Sequence, residues 1–193
     1  MRKFFEKMRV FAYIRLKREM NFYYYNNFDN PENFSEFNKD DFEVVDNASD
    51  YLRFVDKYKI PPVSDYIKRF NHNARFAFSH NDECYLSQGW IMGKSNSFKI
   101  DYFKCKIPIY DNLVVLFGFY TNENERRKGH HKKLLTFFKF LSPNSFYLIY
   151  TAPTNIGAHK AIINVGYNFL GVYRRYEMWK VRRKIRKICR SIS

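Results

Sequence analysis

A basic segment that follows an apolar stretch has the residue types needed to bind an anion. The longest unbroken apolar stretch is the eight residues 113–120, which predicts a strand buried on both faces. A polar loop then leads into a segment with helical periodicity, through the sequence Arg126-Arg127-Lys128-Gly129-His130-His131-Lys132. N–H groups at a helix N-terminus have no helical partner, and the helix dipole gives them positive partial charge. The segment therefore predicts a concave site, closely approachable at Gly129, into which a diphosphate would fit.

This segment resembles motif A of the GCN5-related N-acetyltransferase (GNAT) family, whose signature is Arg/Gln-x-x-Gly-x-Gly/Ala. Arg126 and Gly129 match the signature, and they lie between a predicted strand and a predicted helix. The small residue that usually closes the motif is His131 here. Its imidazole is expected either to turn away into solvent or to add a hydrogen-bond donor for a phosphate.

A second resemblance to the same family lies downstream. Asn155-x-x-Ala158 followed by Gly166-Tyr167 is similar to motif B, Asn-x-x-Ala-(x)7-Gly-Phe, with the spacing kept. The two motifs cover residues 113–175, and the strand hairpins from Ala74 onward extend the resemblance to about half the chain. It implies an α/β GNAT fold, with a mixed, mostly antiparallel central sheet flanked by helices.

The resemblance also implies a ligand, acetyl-coenzyme A, and no metal. The parallel strands 113–120 and 146–151 would separate to admit the pantetheine arm, and the loop amides would bind the pyrophosphate. Asn155, at the start of the second helix, would face the arm. The residues expected to contact acetyl-coenzyme A are Phe119, Tyr120, Thr121, Arg126, Arg127, Lys128, Gly129, His130, His131, Lys132 and Asn155.

The groups that would move protons are not identified by the resemblance. Many relatives use a tyrosine seven residues after the motif B asparagine, and that position is Ile162 here. The central strand also lacks the carboxylate that some relatives carry. Four other side chains could substitute, namely Tyr120, Glu123, His159 and Tyr173. The catalytic residues therefore stay unassigned, and the reaction is expected to depend mainly on positioning, with proton transfer through water.

The elements around this site follow from periodicity and turn residues. Helices are predicted over residues 49–58, with Asn47 or Ser49 as the cap, and over 64–70, 129–141 and 156–165. Strands are predicted over residues 74–79, 84–92, 98–109, 113–120, 146–151 and 169–179. The acidic residues 29–50 predict a polar surface segment or linker. At 193 residues, with 46% apolar residues, the chain is expected to form one domain with a packed core.

The basic residues are concentrated at the two ends of the chain. The net charge is +15, of which residues 1–20 contribute +5 and residues 174–193 contribute +8. Segments 1–20 and 180–193 both predict basic amphipathic helices. Such helices either dock on their own domain or lie on an anionic membrane surface.

The compartment is predicted from what the sequence lacks. No apolar run approaches the roughly 20 residues of a membrane span, and Arg9 and Arg15 interrupt what would be the apolar region of a signal peptide. Three cysteines without CxxC spacing indicate neither a disulfide framework nor a zinc site. These features predict a cytoplasmic protein, with peripheral contact at the inner membrane face as the alternative.

The predicted function is transfer of an acetyl group from acetyl-coenzyme A to a primary amine. The chain loosely resembles bacterial members of surface-polysaccharide pathways, in which the acceptor is an amino sugar. The alternatives are a protein or polyamine acetyltransferase, and a non-catalytic acetyl-coenzyme A-binding module. Nucleic-acid binding is not favoured, because the Lys and Arg residues are concentrated at the ends and the aromatic residues follow core periodicity.

Overall fold

A seven-stranded sheet organises the residues that the computed structural model describes, which are 15–26, 39–93, 97–100, 105–108, 112–142 and 144–177. The chain forms two compact units. The larger unit is residues 21–171, and the described part of the smaller unit is residues 15–20 and 172–177. In the smaller unit, Nε of Arg174 donates to Oε1 of Glu19 over 2.9 Å.

The strands and helices are numbered in chain order. The strands are β1 (Arg15–Asn26), β2 (Phe42–Val45), β3 (Ala74–His80), β4 (Tyr85–Met92), β5 (Ser97–Ile100), β6 (Cys105–Pro108), β7 (Leu113–Thr121), β8 (Phe146–Thr151) and β9 (Asn168–Glu177). The α-helices are α1 (Ala48–Tyr58), α2 (Tyr66–Asn71), α3 (His130–Leu141) and α4 (Ile156–Asn164), and short 3-10 helices occupy Lys39–Asp41 and Glu123–Glu125.

The strand order of the large sheet is β2-β3-β4-β7-β8-β1-β9, and β5 and β6 form a separate hairpin. β7 and β8 are parallel and are joined through α3, whereas the four other described pairs in this sheet are antiparallel. β7 is thus the central strand, as its apolar run predicts, and four consecutive residues from Val114 to Phe117 are buried. The predicted mixed, mostly antiparallel sheet flanked by helices is confirmed.

Local signals account for the two helices that precede the sheet's central strands. The Asn47 side chain accepts a hydrogen bond from the Asp50 amide over 2.9 Å and so caps α1. The helix ends where Lys59 adopts a left-handed conformation, two residues before the paired prolines. The prediction for this helix is confirmed within one residue. α2 starts two residues later than predicted, with Asp65 at its N-cap.

The core lies between the sheet and the pair α3 and α4. α3 buries its apolar stripe against the strands, and α4 contributes Ile162 to the same cluster. Tyr167, which follows α4, is also fully packed there. The only charged side chain buried in this region of the described chain is that of Lys139, whose ammonium group donates to the Val165 carbonyl over 2.6 Å. Its positive charge also lies 3.5 Å from the centre of the Tyr25 ring.

Three sequence predictions are wrong in part. Residues 15–20 are in strand β1, not in a basic amphipathic helix, because this segment continues a strand whose residues 21–26 pair with β8. The acidic segment contains an edge strand, β2, which pairs with β3 and buries Val45, so it is not wholly a linker. Residues 98–109 are not one strand, because β5 and β6 pair with each other. Residues 1–14 and 178–193, and with them the rest of both predicted terminal helices, lie outside the described residues.

Tyr147 provides a test of how the end of α3 is held. Its ring is buried in the core, and its hydroxyl donates to the carbonyl oxygens of Phe138 and Ser142, each at 2.8 Å. Tyr147→Phe should lower the free energy of unfolding by about 1–2 kcal/mol, because buried carbonyls at the helix C-terminus lose their donor. Chemical denaturation measures this loss. Tyr24→Phe, at an exposed position of β1, is the control, and an equal effect of both substitutions would contradict the capping role.

Candidate functional site

An extra residue in the central strand shapes the site. Gln88 of β4 pairs with Tyr120 of β7, and Trp90 pairs with Phe117, so two residues of β7, Gly118 and Phe119, lie opposite one residue of β4. Gly118 has a φ of +65°, which a glycine adopts without strain. This is a β-bulge, and it bends β7 at the point where the strand leaves the core.

The pairing of β7 with β8 ends beside this bulge. The parallel ladder runs from Leu113 and Phe146 to Leu116 and Ile149 and includes no residue beyond. A cavity of about 930 Å³ lies where the two strands are no longer paired. The resemblance implies a separation of strands at this place. The residues that line the cavity are Gly118, Phe119, Tyr120, Thr121, Glu125, Arg126, Arg127, Gly129, His130, His131, Lys132, Ile149, Tyr150, Thr151, Asn155, Gly157, Ala158, Lys160, Ala161, Ile162 and Asn164.

The loop before α3 presents its backbone to this cavity. Arg127 and Gly129 both have left-handed backbone conformations, with φ of +69° and +85°. A Cβ atom added at Gly129 would meet nothing within 4 Å, so the space in front of the loop is open. α3 begins at His130, and the first amides of a helix have no partner in a preceding turn. A nest of N–H groups at a helix N-terminus is a geometry suited to an anion.

Acidic neighbours bind several basic side chains of the loop. Arg126 donates to Glu123 over 3.1 Å, and the Glu125 carboxylate lies 3.0 Å from the Lys128 ammonium and 3.2 Å from Nε2 of His130. The hydrogen bond from Lys128, together with that from His130, lowers the pKa of Glu125. These ion pairs hold the side chains of the loop in place beside the exposed amides.

His131 does not adopt the first of the two expected arrangements, in which its side chain turns away into solvent; the second, in which it donates to a phosphate, stays a prediction. Its ring packs on the Phe119 ring, with 5.0 Å between centroids, and its Nε2 atom is buried without a hydrogen-bond partner among the described residues. Burial lowers the pKa of His131 to about 4, so the imidazole is neutral at pH 7. The expectation of a solvated side chain is wrong, because Phe119, turned inward by the bulge, offers an apolar surface beneath the loop.

Phe119 is itself fixed on its other sides. Its ring meets the Phe138 ring edge-on at 5.7 Å, and a Cβ atom at Gly89 would lie only 2.7 Å from it. The close approach of the Phe119 ring therefore requires a glycine at position 89. The contacts connect β4, the bulge and the first turn of α3 in one packed column.

α4 forms the opposite wall of the cavity. Asn155 is its N-cap, and its side-chain oxygen accepts a hydrogen bond from the Ala158 amide over 3.1 Å. The small residues Gly157, Ala158 and Ala161 leave the wall shallow, and Lys160 adds a positive charge there. Asn155 therefore both starts the helix and lines the cavity.

The structure brings together most of the predicted contact residues. Ten of the eleven line the cavity, and the exception is Lys128, whose ammonium group binds Glu125. The sequence predicted that strands 113–120 and 146–151 separate at this site, but the predicted contact residues did not include Gly118, the end of β8 or the residues of α4 after Asn155. The residues at the end of β8 could have been included, because the carboxyl ends of adjacent parallel strands share one edge of a sheet. The position of Gly118 in a bulge has no comparable signal.

Of the four candidate proton-transfer groups, Tyr120 is the one that lines the cavity. Tyr120 lines the cavity, and its hydroxyl donates to Oε1 of Glu123 over 3.3 Å. Nδ1 of His159 lies 2.5 Å from the buried hydroxyl of Tyr23, and His159 is not a cavity residue. Tyr173 belongs to the smaller unit. Ile162 lines the cavity, so the hydroxyl that many relatives have at this position is missing.

In the described ranges, no three His, Cys, Asp or Glu side chains are grouped as a metal site would require. No helix in the same part of the chain is both long and apolar enough to span a bilayer.

Comparisons with solved structures find proteins of one fold. The chain superposes on a GNAT-family acetyltransferase from Colwellia psychrerythraea with a TM-score of 0.55 at 15% identity, over 90% of this chain and 61% of that one. A protein from Novosphingobium aromaticivorans assigned to the same family gives 0.54 at 13% identity, over 83% and 64%. A GCN5-related glucosamine N-acetyltransferase region of a fungal multi-domain β-N-acetylglucosaminidase gives 0.52 at 11% identity, over 91% and 22%.

These similarities show that the chain has the GNAT fold. It spans less than two thirds of the length of the Colwellia and Novosphingobium proteins. No family model matches the chain, and a search of curated proteins finds no match.

The buried imidazole of His131 generates a pH-dependent prediction. The pKa is about 4 in the folded protein and near 6.5 in an unfolded chain. Between these pH values the unfolded state binds the extra proton, so the folded state loses stability as the pH falls from 6.5 towards 4. From pH 7 to pH 4.5 the wild type should lose about 2 kcal/mol more stability than His131→Phe, which keeps the ring packing but cannot be protonated. Urea denaturation at both pH values measures this, and parallel pH profiles would contradict it.

Proposed function

We propose that this chain transfers an acetyl group from acetyl-coenzyme A to a primary amine, as a member of the GNAT family. The observation that carries the proposal is the nest of amides at the start of α3, which opens into the cavity between β7 and β8. The GNAT fold supports it. The cavity volume is at the upper end of the range for small-molecule sites, as a ligand of this length requires.

The residues present fit the parts of acetyl-coenzyme A. The amides of residues 127–132 would bind the pyrophosphate, with Arg127 and Lys132 as additional cations. Backbone groups of Phe119, Tyr120 and Thr121, which face no strand on the β8 side, would bind the pantetheine amides. Asn155 would face the same arm from α4.

Bound acetyl-coenzyme A supplies a thioester at which the amine forms a C–N bond while the C–S bond to coenzyme A breaks. The chain contributes mainly orientation, since holding two reactants in place can lower a barrier by about 7–11 kcal/mol. Ile162 offers no proton, so the proton released by the amine passes to water and the thiolate takes its proton from water. Tyr120 could organise that water, because it lines the cavity and its hydroxyl is held by Glu123.

An amino sugar is the acceptor that the resemblance to surface-polysaccharide enzymes favours, and the fungal region of similar fold is described as a glucosamine N-acetyltransferase. A protein amine or a polyamine is the alternative acceptor. The hydrophobic Ile162 also supports a second candidate function, a module that binds acetyl-coenzyme A without turnover. Release of free thiol with a panel of amines separates an enzyme from such a module.

Substitution of Gly129 tests the phosphate site. Acetyl-coenzyme A at a hundredfold excess over its dissociation constant should stabilise the wild type by about 2.7 kcal/mol. Gly129→Leu should weaken binding at least tenfold, because the new side chain projects into the open space before the amides and strains a positive φ. Isothermal titration calorimetry measures the affinity. Gly171→Leu is the matched control, since Gly171 also has a positive φ and open space but does not line the cavity. Unchanged affinity in Gly129→Leu would contradict the assignment.

We also propose a cytoplasmic location with peripheral contact at an anionic membrane, supported by the charge of residues 1–20 and 174–193. The protein should co-sediment with vesicles that contain anionic lipid and not with neutral vesicles, and high salt should release it. Replacing Arg182, Arg183 and Arg186 by Gln should reduce the bound fraction severalfold. Equal pelleting with neutral and anionic vesicles would contradict membrane contact by this mechanism.

A further inference from the structure

One charged side chain lies against the bulge on the α2 side of the sheet. A Cβ atom added at Gly118 would be 2.9 Å from Nη1 of Arg69 and 3.0 Å from Cδ1 of Trp90. The guanidinium group therefore occupies the place that a side chain at position 118 would take. Arg69 belongs to α2, the short helix that packs near β3.

The guanidinium group is held in a defined orientation. Its Nε lies 2.9 Å from a carboxylate oxygen of Asp65, one turn earlier in the chain. Its central carbon lies 4.9 Å from the ring centre of Trp90 and 5.3 Å from that of Phe117. The side chain is 19% exposed, so solvent reaches part of it. Asp65 binds the guanidinium group at Nε, and Nη1 faces the bulge.

Arg69 and the phosphate-binding loop approach the bulge from opposite faces of the sheet. Phe119 points towards α3, where it contacts His131 and Phe138. Trp90 points the other way, because its ring packs on Phe70 of α2 and on Phe76. The loop that would bind the coenzyme A phosphates is on the Phe119 side, and Arg69 is on the Trp90 side.

Three polar atoms on the Trp90 side are buried without a hydrogen-bond partner among the described residues. They are Nη1 of Arg69, Nε1 of Trp90 and Oε1 of Gln88. Gln88 faces the same side as Trp90, because these two residues pair with Phe78 and Phe76, which both pack under α1. A buried polar atom without a partner destabilises the fold, and in a native structure each such atom calls for an explanation, of which a ligand is one.

The chemistry of these atoms describes a complementary ligand. Arg69 and Trp90 are donors, and the arginine carries a full positive charge, so each of the two suits an anionic oxygen. Gln88 supplies an acceptor, which suits an amine N–H. The Arg69 side chain is 19% exposed, whereas Gln88 and Trp90 are only 3% and 0% exposed, so Arg69 is the first of the three that an incoming acceptor would meet.

We propose that Arg69 binds an anionic group of the acceptor, so that the amine substrate carries a carboxylate or a phosphate. The inference rests on the proposed function, in which the phosphates of coenzyme A are bound on the α3 side and the pantetheine arm follows residues 119–121, beside the bulge. The acceptor then approaches from the α2 side, where the guanidinium group lies. A polyamine or a neutral amino sugar lacks the group that Arg69 would bind.

Matched pairs of acceptors test this inference by thiol release. Glycine and glycinamide differ in a carboxylate, and glucosamine 6-phosphate and glucosamine differ in a phosphate. In the wild type, the anionic member of at least one pair should have a kcat/KM tenfold or more above its neutral partner, and the pair that shows this identifies the anion. Arg69→Gln should lower that ratio at least tenfold while changing the neutral acceptor less than threefold. Arg69→Lys should restore part of the preference.

Arg53→Gln is the matched control. Arg53 also pairs with an aspartate on its own helix and lies 5.0 Å from an aromatic ring centre, but it is 69% exposed on α1. It should leave the ratio unchanged. Stabilisation by acetyl-coenzyme A shows that each variant is folded.

Three results would overturn the inference while acetyl-coenzyme A still stabilises the protein. The first is that the wild type shows no preference for an anionic acceptor, and the second is that it acetylates neither anionic amine. The third is that Arg69→Gln lowers kcat/KM equally for both members of a pair, which would mean a purely structural role. Absence of stabilisation by acetyl-coenzyme A is a separate outcome, which overturns the proposed function and this inference with it.

Discussion

The bulge in β7 is the feature on which the site depends. A regular strand would continue its pairing with β8 to the end, and the sheet would be closed where the cavity now lies. One extra residue ends the ladder after Leu116 and Ile149. It also requires a left-handed conformation at Gly118, which a side chain would resist on two grounds, the backbone strain and the guanidinium group that fills the adjacent space.

The bulge also sets the two faces of the site. It turns Phe119 towards α3, where His131 packs on the ring, and it leaves Gly118 beside Arg69 on the other face. Gly129, the N-cap residue of α3, has no side chain that could cap the helix. The position of the start of α3 therefore depends on the packed column beneath it. This explains how a bulky His131 is accommodated where the family signature has a small residue: the imidazole is part of the support and lies below the amides.

The sequence was sufficient to predict those elements whose residue pattern fits only one type of secondary structure. An apolar run followed by a basic loop and an amphipathic stretch predicts β7, the loop and α3, and all three are found. It was insufficient for residues 15–20, because a short segment of mixed apolar and basic residues fits helical and strand periods alike, and pairing of the following residues with β8 decides between them. Arg69 was not identified because its role depends on the contact of α2 with a bulge about 50 residues later, which no local spacing encodes.

The absence of a titratable group at Ile162 is compatible with acetyl transfer, for a reason that the geometry supplies. A thioester is already an activated acyl group, so the main requirement is a neutral amine held against it. Ile162 is buried in the core and also lines the cavity, so an amine that reached this side chain would lose part of its hydration, which favours the neutral form of the amine over its ammonium form. Position 162 would then assist deprotonation by desolvation instead of by accepting the proton.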